Sequence, residues 1–212
     1  MIHQRVLADE LRQHIIEGAF APGSRLSESA LAERFDVSRN TLREAFRVLS
    51  EQGLVEHIPH RGVSVASPSI ADVVDIYRVR RVIECTALRE SEPEHPAVQR
   101  MRDALAEAEH HLPLENWREV GSANMAFHLA IVDLADSPRL TRTYSDVAAE
   151  LRLAFLKIDD PRSLHEPFVR KNRAVLTALT ERGPDAAAIE LERYLIASER
   201  SVLGAFARMG EG

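Results

Sequence analysis

Between Ser38 and Glu51 the chain reads Ser-Arg-Asn-Thr-Leu-Arg-Glu-Ala-Phe-Arg-Val-Leu-Ser-Glu, and no other stretch limits the possible folds as sharply. Ser38 is a residue type that caps helices. Leu42, Ala45, Phe46 and Leu49 then fall at helical spacing on one side, while Arg39, Arg43 and Arg47 stand four apart on the other. A shorter helix precedes it, capped by Ser27 and carrying Leu31, Ala32 and Phe35, and Asp36 breaks that helix. Beyond Gln52-Gly53 come two short strands, residues 54–57 and 62–65, joined by the tip Pro59-His60-Arg61-Gly62. Upstream, Val6, Leu7, Leu11, Ile15 and Ile16 make a first helix that ends near Gly18. Ala21-Pro22-Gly23 is a turn, and Ser24-Arg25-Leu26 has room only for a short strand. Helix, tight turn, helix and a two-stranded wing is the layout of a winged helix-turn-helix.

Ala66-Ser67-Pro68-Ser69 reads as a linker, and beyond it no strand signal occurs. Helical patterns cover about 70–91, 96–112, 114–135, 138–158, 164–182 and 184–208, parted by Glu92-Pro93, Pro113, Ser137-Pro138, Asp159-Asp160-Pro161 and Gly183-Pro184. The expected fold is therefore mainly α. A winged helix-turn-helix of three helices and a small β-wing, residues 1–67, joins an antiparallel helical bundle, residues 68–212.

Composition fits two modest domains: 212 residues, 45% hydrophobic and only 5% aromatic. Net charge is −6, which looks wrong for a nucleic-acid partner until it is divided. Residues 1–68 hold eight Arg against nine Asp and Glu, so most of the excess acid lies in the second half. What DNA meets is local charge placement, not the total. The single cysteine, Cys85, excludes an internal disulfide and a cysteine-built zinc site, and reads as a small core residue. The N-terminus runs straight into an amphipathic helix with no leader pattern, and no apolar run reaches the roughly 20 residues of a membrane span. A cytoplasmic protein without membrane partners is expected.

On the helix from Ser38, the short polar groups of Ser38, Asn40 and Thr41 are placed to meet phosphates or base edges. Asn40 suits adenine and Arg43 suits guanine. Arg39 and Arg47 complete the stripe, and the wing tip adds His60, Arg61 and Gly62. Three arginines on one face are also what an ordinary solvated helix carries, with Glu44 and Glu51 as pairing partners.

Over residues 7–65 the chain resembles the GntR family of bacterial regulators. The likeness is carried by Ile15–Gly18, Pro22–Glu28, Leu31–Glu33, Val37–Ala45, Leu49, Gly53–Glu56 and Arg61–Val65. It implies sequence-specific DNA binding with Ser38, Arg39 and Arg43 as main contacts. Two positions depart from the pattern: Asp36 stands where the turn glycine is usual, and Ser29 where Arg is frequent.

Residues 70–207 are similar, more loosely, to the FadR-type (FCD-like) effector domain of the same family. The matching groups are Arg80 with Glu84, Asn124–Leu129, Asn172–Leu179, and Asp185 with Tyr194-Leu195. In many relatives one Asp and three His bind a divalent metal at the positions held here by Asn124, His128, Asn172 and Tyr194. One imidazole beside two amides and a phenol makes a poor transition-metal site, so no metal is expected. Two alternatives follow for the altered pocket. Arg80, Asn124, His128, Asn172 and Tyr194, with Arg152 as a further candidate, bind a small organic effector, with Arg80 meeting a carboxylate. Otherwise these groups satisfy one another in the core, with Arg80 serving Glu84. The resemblance implies a homodimer on a near-palindromic DNA operator, most simply a repressor relieved by its effector, and no enzyme. A helical metalloenzyme, or a non-specific DNA-binding or interaction protein with a vestigial pocket, are the rivals.

Overall fold

The computed structural model describes residues 2–210. Its order is α1 (Ile2–Ile16), β1 (Arg25–Leu26), α2 (Glu28–Arg34), α3 (Arg39–Glu51), β2 (Val55–Ile58) and β3 (Gly62–Val65). Six long helices follow: α4 (Ile70–Arg89), α5 (Pro96–His111), α6 (Trp117–Asp133), α7 (Pro138–Leu156), α8 (Pro161–Arg182) and α9 (Pro184–Arg208). The chain divides into two compact units. The first is Met1–Ser69 together with Ala149–Lys157, and the second is Ile70–Ala148 with Ile158–Gly212. The last turns of α7 thus belong to the first unit, which local pattern did not anticipate.

In the first unit, Ser27 and Ser38 cap α2 and α3, their hydroxyl oxygens accepting from the Ala30 and Thr41 amides. Between those helices Asp36 adopts φ 50°, the left-handed conformation a tight helix-turn-helix requires. Asp reaches it at modest cost because its short side chain bonds locally. The apolar side of α3 is Leu42, Ala45, Phe46 and Leu49, all fully buried, and burying each of the two larger types stabilises the unit by about 1.5–3 kcal/mol. They pack with Leu11, Ile15, Leu54 and Val63, and with Ala149 and Leu153 of α7. At the end of α3, Gly53 turns the chain at φ 72°. A Cβ there would meet only the flexible end of the Glu150 side chain, which can move aside, so it is the left-handed backbone that favours glycine. The sheet is antiparallel in the order β1-β3-β2, with Arg25 opposite Ser64 and Glu56 opposite Ser64 on the other side.

In the second unit α4 packs on α9, α5 on α6, and α8 on α9. Helix α8 begins at Pro161, three residues before the sequence-based start. Asp160 caps it by accepting from the Ser163 amide, and Pro161 sits at the first position, where its missing N–H costs nothing. Pro167 lies inside that helix. His95, which lacks an evident partner in the sequence, caps α5 by accepting from the Ala97 amide and lies 3.1 Å from Asp136. Cys85 is buried, and burial pushes its thiol up to about 11. No helix among the described residues is long and apolar enough to cross a membrane.

Candidate functional site

Two sets of residues carry the chemistry, one on the surface of the first unit and one inside the second. On the first unit, α3 has a strict division. Arg39, Asn40, Arg43 and Arg47 are exposed on the side opposite the buried Leu42, Ala45, Phe46 and Leu49. Ser38 is exposed, and its hydroxyl lies 2.8 Å from that of half-buried Thr41 as well as capping the helix. The arginines differ in their tethers. Arg43 Nε donates to Glu28 Oε2 at 2.9 Å, while Arg47 pairs with Glu44 at 3.3 Å. The Arg43 partner is therefore Glu28 of α2, not an acid of α3. At the wing tip His60, Arg61 and Gly62 are all exposed, with positive φ at His60 (62°) and Gly62 (87°).

Inside the second unit the structure gathers Arg80, Asn124, His128, Asn172 and Tyr194 into one buried cluster. Its hub is Glu84, which is completely buried. Glu84 Oε1 accepts from Arg80 Nε at 2.8 Å and from the Tyr144 hydroxyl at 2.7 Å, and Oε2 faces His128 Nδ1 at 2.6 Å. His128 Nε2 faces the Tyr194 hydroxyl at 2.8 Å. That hydroxyl lies 3.1 Å from Asn124 Oδ1, which accepts from Asn172 Nδ2 at 2.7 Å. The Arg80 guanidinium also stacks over Tyr77, 5.1 Å from the ring centre.

Electrostatics follow from that geometry. Burial by itself would raise the Glu84 carboxyl, but Arg80 and His128 outweigh it and hold Glu84 down to about 2. Burial lowers His128 below the ordinary imidazole range, only partly opposed by Glu84, so the ring is neutral near pH 7. Burial raises the Tyr194 hydroxyl, which keeps its proton. With Glu84 able only to accept, neutral His128 donates from Nδ1 and presents a lone pair at Nε2. The single Tyr194 proton then serves either Nε2 or Asn124 Oδ1. At the far end Asn172 Oδ1 is buried with no partner among the described residues, a cost of about 1–3 kcal/mol for an orphaned acceptor. The cluster is electrically balanced but short of donors.

These donors do not suit a transition metal. Both nitrogens of His128 already face partners, and among the described residues no three His, Cys, Asp or Glu side chains converge.

Three corrections to the sequence reading concern this cluster. Arg152 is not part of it: the residue belongs to the first unit, where Nε donates to the Ile16 carbonyl at 3.2 Å. Its position on α7 lies beyond the division between the units, which helical periodicity cannot show. Arg80 has no free charge for a carboxylate, because Glu84 is already on it. Tyr144 and the central role of Glu84 were missed. Glu84 had a local sign in its spacing from Arg80, whereas a lone tyrosine on α7 had none.

An arginine-striped helix beside a glycine-tipped wing, carried with a helical bundle that holds a buried polar cluster, defines a class: DNA-binding transcription regulators with a helical sensing domain. Comparison with known proteins gives the family. Residues 3–65 match the model of the bacterial regulatory proteins of the gntR family, and residues 75–197 match the FCD domain. The chain is 30% identical to the HTH-type regulator BphR of Paraburkholderia xenovorans, over 92% of this chain and 83% of that one. It is 28% identical to the HTH-type transcriptional repressor RspR of Escherichia coli, over 91% and 85% respectively. A GntR transcriptional regulator from Rhodococcus sp. RHA1 superposes with a TM-score of 0.92 at 38% identity, covering 97% of this chain and 99% of that structure. The chain belongs to the GntR family of transcription regulators, with the FCD domain of its FadR-type branch. It is a DNA-binding regulator and not an enzyme.

Proposed function

We propose that the chain is a cytoplasmic repressor that binds a near-palindromic operator as a homodimer and releases it when a small organic effector enters the bundle. Ser38, Arg39, Asn40, Thr41, Arg43, Arg47 and the wing residues His60, Arg61 and Gly62 are its DNA contacts. One observation carries this: α3 is capped at Ser38, buries its whole apolar side and leaves its arginine stripe exposed. The similarity to RspR, a repressor, supports the sign of regulation. Operator fragments are to be selected from genomic DNA with the purified protein. On them, Arg43→Ala should lose about 1–3 kcal/mol of discrimination, the worth of one bidentate base contact. Affinity within about twofold of the parent would remove Arg43 from the interface.

The effector site is the cluster of Asn124, His128, Asn172 and Tyr194, with Arg80 and Glu84 as its charged support. The orphaned Asn172 Oδ1 favours this over a purely structural core, since a ligand N–H or O–H there would supply the missing donor. A carboxylate ligand is disfavoured, because it would have to displace Glu84 from Arg80. Coupling between effector and operator is expected at about 1–3 kcal/mol. It is read as operator affinity with and without the effector, and should vanish in Asn172→Leu. A stoichiometric transition metal in protein purified without chelator would overturn this ligand set.

A further inference from the structure

On the first unit, β1, the start of α2, the start of α3 and the wing enclose a groove of about 510 Å³ that none of the proposed base contacts accounts for. Its polar lining is Arg25, Ser27, Glu28, Ser29 and Arg39, with Gly62 on the wing side. The balance of charge there is decisive. Glu28 is the only acid, and its carboxylate is engaged by Arg43 from outside the groove. Arg25 and Arg39 are exposed, and neither forms an ion pair among the described residues. A groove with two unspent guanidinium groups and one neutralised carboxylate attracts an anion.

The wing explains how Arg25 comes to be there. Pairing of β1 with β3 sets Arg25 opposite Ser64 and brings its side chain toward Gly62. A Cβ built on Gly62 would lie 3.9 Å from both Arg25 Nε and Nη2, so the guanidinium rests against a bare stretch of wing backbone. Gly62 has φ 87°, where other residues are strained, so this side of the groove stays open. The hydroxyls of Ser27 and Ser29, 3.2 Å apart, stand in the same lining. Guanidinium and hydroxyl donors around a concave opening suit a tetrahedral oxyanion.

We infer that this groove holds a backbone phosphodiester of the DNA, with Arg25 as the phosphate-binding residue and the serine hydroxyls as accessory donors. The inference rests on α3 being the DNA-reading helix, because Arg39 is shared between that helix and the groove. A phosphate contact fixes register without reading sequence, so Arg25 sets affinity while Arg43 sets specificity.

The test measures binding of the full chain to a selected operator duplex and to a random duplex, by fluorescence anisotropy across a salt series. Arg25→Gln should weaken both duplexes by a similar factor, about fivefold at 0.1 M salt. It should also reduce the slope of log affinity against log salt by about 0.9, one counterion's worth. Arg25→Lys, which keeps the charge, should restore the slope. Duplexes with one backbone phosphate at a time replaced by a neutral methylphosphonate should include one that weakens the parent but not Arg25→Gln. An unchanged slope in Arg25→Gln, with Arg43→Ala still impaired, overturns the groove assignment and leaves the recognition helix standing. Both variants binding like the parent would overturn the reading of α3 itself. In a separate arm inorganic phosphate is the ligand, followed by thermal shift. Stabilisation that depends on Arg25, with DNA binding independent of it, would make the groove a free-anion site and overturn the DNA assignment.

Discussion

The two chemically active regions spend their polar groups in opposite ways. On α3 the arginines are exposed, Arg43 and Arg47 each tethered by one ion pair, and the helix is held in place by the buried apolar side chains of Leu42, Ala45, Phe46 and Leu49. In the bundle, Arg80, Glu84, Tyr144, His128, Tyr194, Asn124 and Asn172 are buried and hold one another. Exposed ion pairs contribute little to stability and are easily exchanged for a ligand, which suits a surface that must trade Glu28 for DNA. Buried pairs are costly to break from one side, so a ligand acting there must supply compensating hydrogen bonds. The surface site is therefore separable from folding, and the buried one is not.

The strongest way to break this contrast is Glu84→Gln. It leaves the Arg80 charge uncompensated in the interior and should cost about 3–5 kcal/mol in urea unfolding. Replacing both partners, Arg80→Met with Glu84→Leu, should recover most of that stability while abolishing the effector response. Recovery of the response as well would show that the charged pair plays no part in sensing. Next in size is Arg43→Ala, with its loss of operator discrimination given above. Calorimetry should show its stability within about 0.5 kcal/mol of the parent, as for other surface changes. A large stability loss would mean that α3 is not separable after all.

Ser38→Ala removes the α3 cap and should destabilise the first unit by about 1 kcal/mol, measured by thermal melting. Acid should also weaken the fold, in two separate steps. Both Glu84 and His128 titrate lower in the folded chain than in the unfolded one. Each thus contributes stability that is present above its unfolded value and lost as pH falls. The His128 share should begin to fade below about pH 6.5, the ordinary imidazole value. The Glu84 share should fade below about 4.5 and continue toward about 2. In His128→Asn the upper step should disappear; its persistence would assign that step to another group.

What the chain reveals without its fold is everything set by neighbours in sequence. The caps at Ser27 and Ser38, the helix break at Asp36 and the apolar side of α3 all depend on residues a few positions apart. Local steric and hydrogen-bonding rules decide them. The candidate cluster was partly legible too, but only through the resemblance to the FadR-type effector domain, whose ligand positions fall on Asn124, His128, Asn172 and Tyr194. Partner choice was not. Glu84 finds Tyr144 across 60 residues, Arg43 finds Glu28 across 15, and Arg152 turns to Ile16 across 136. Which polar groups meet in a core or at a wing depends on how whole helices pack. That packing is settled by buried area summed over many distant residues, and no window of sequence contains it.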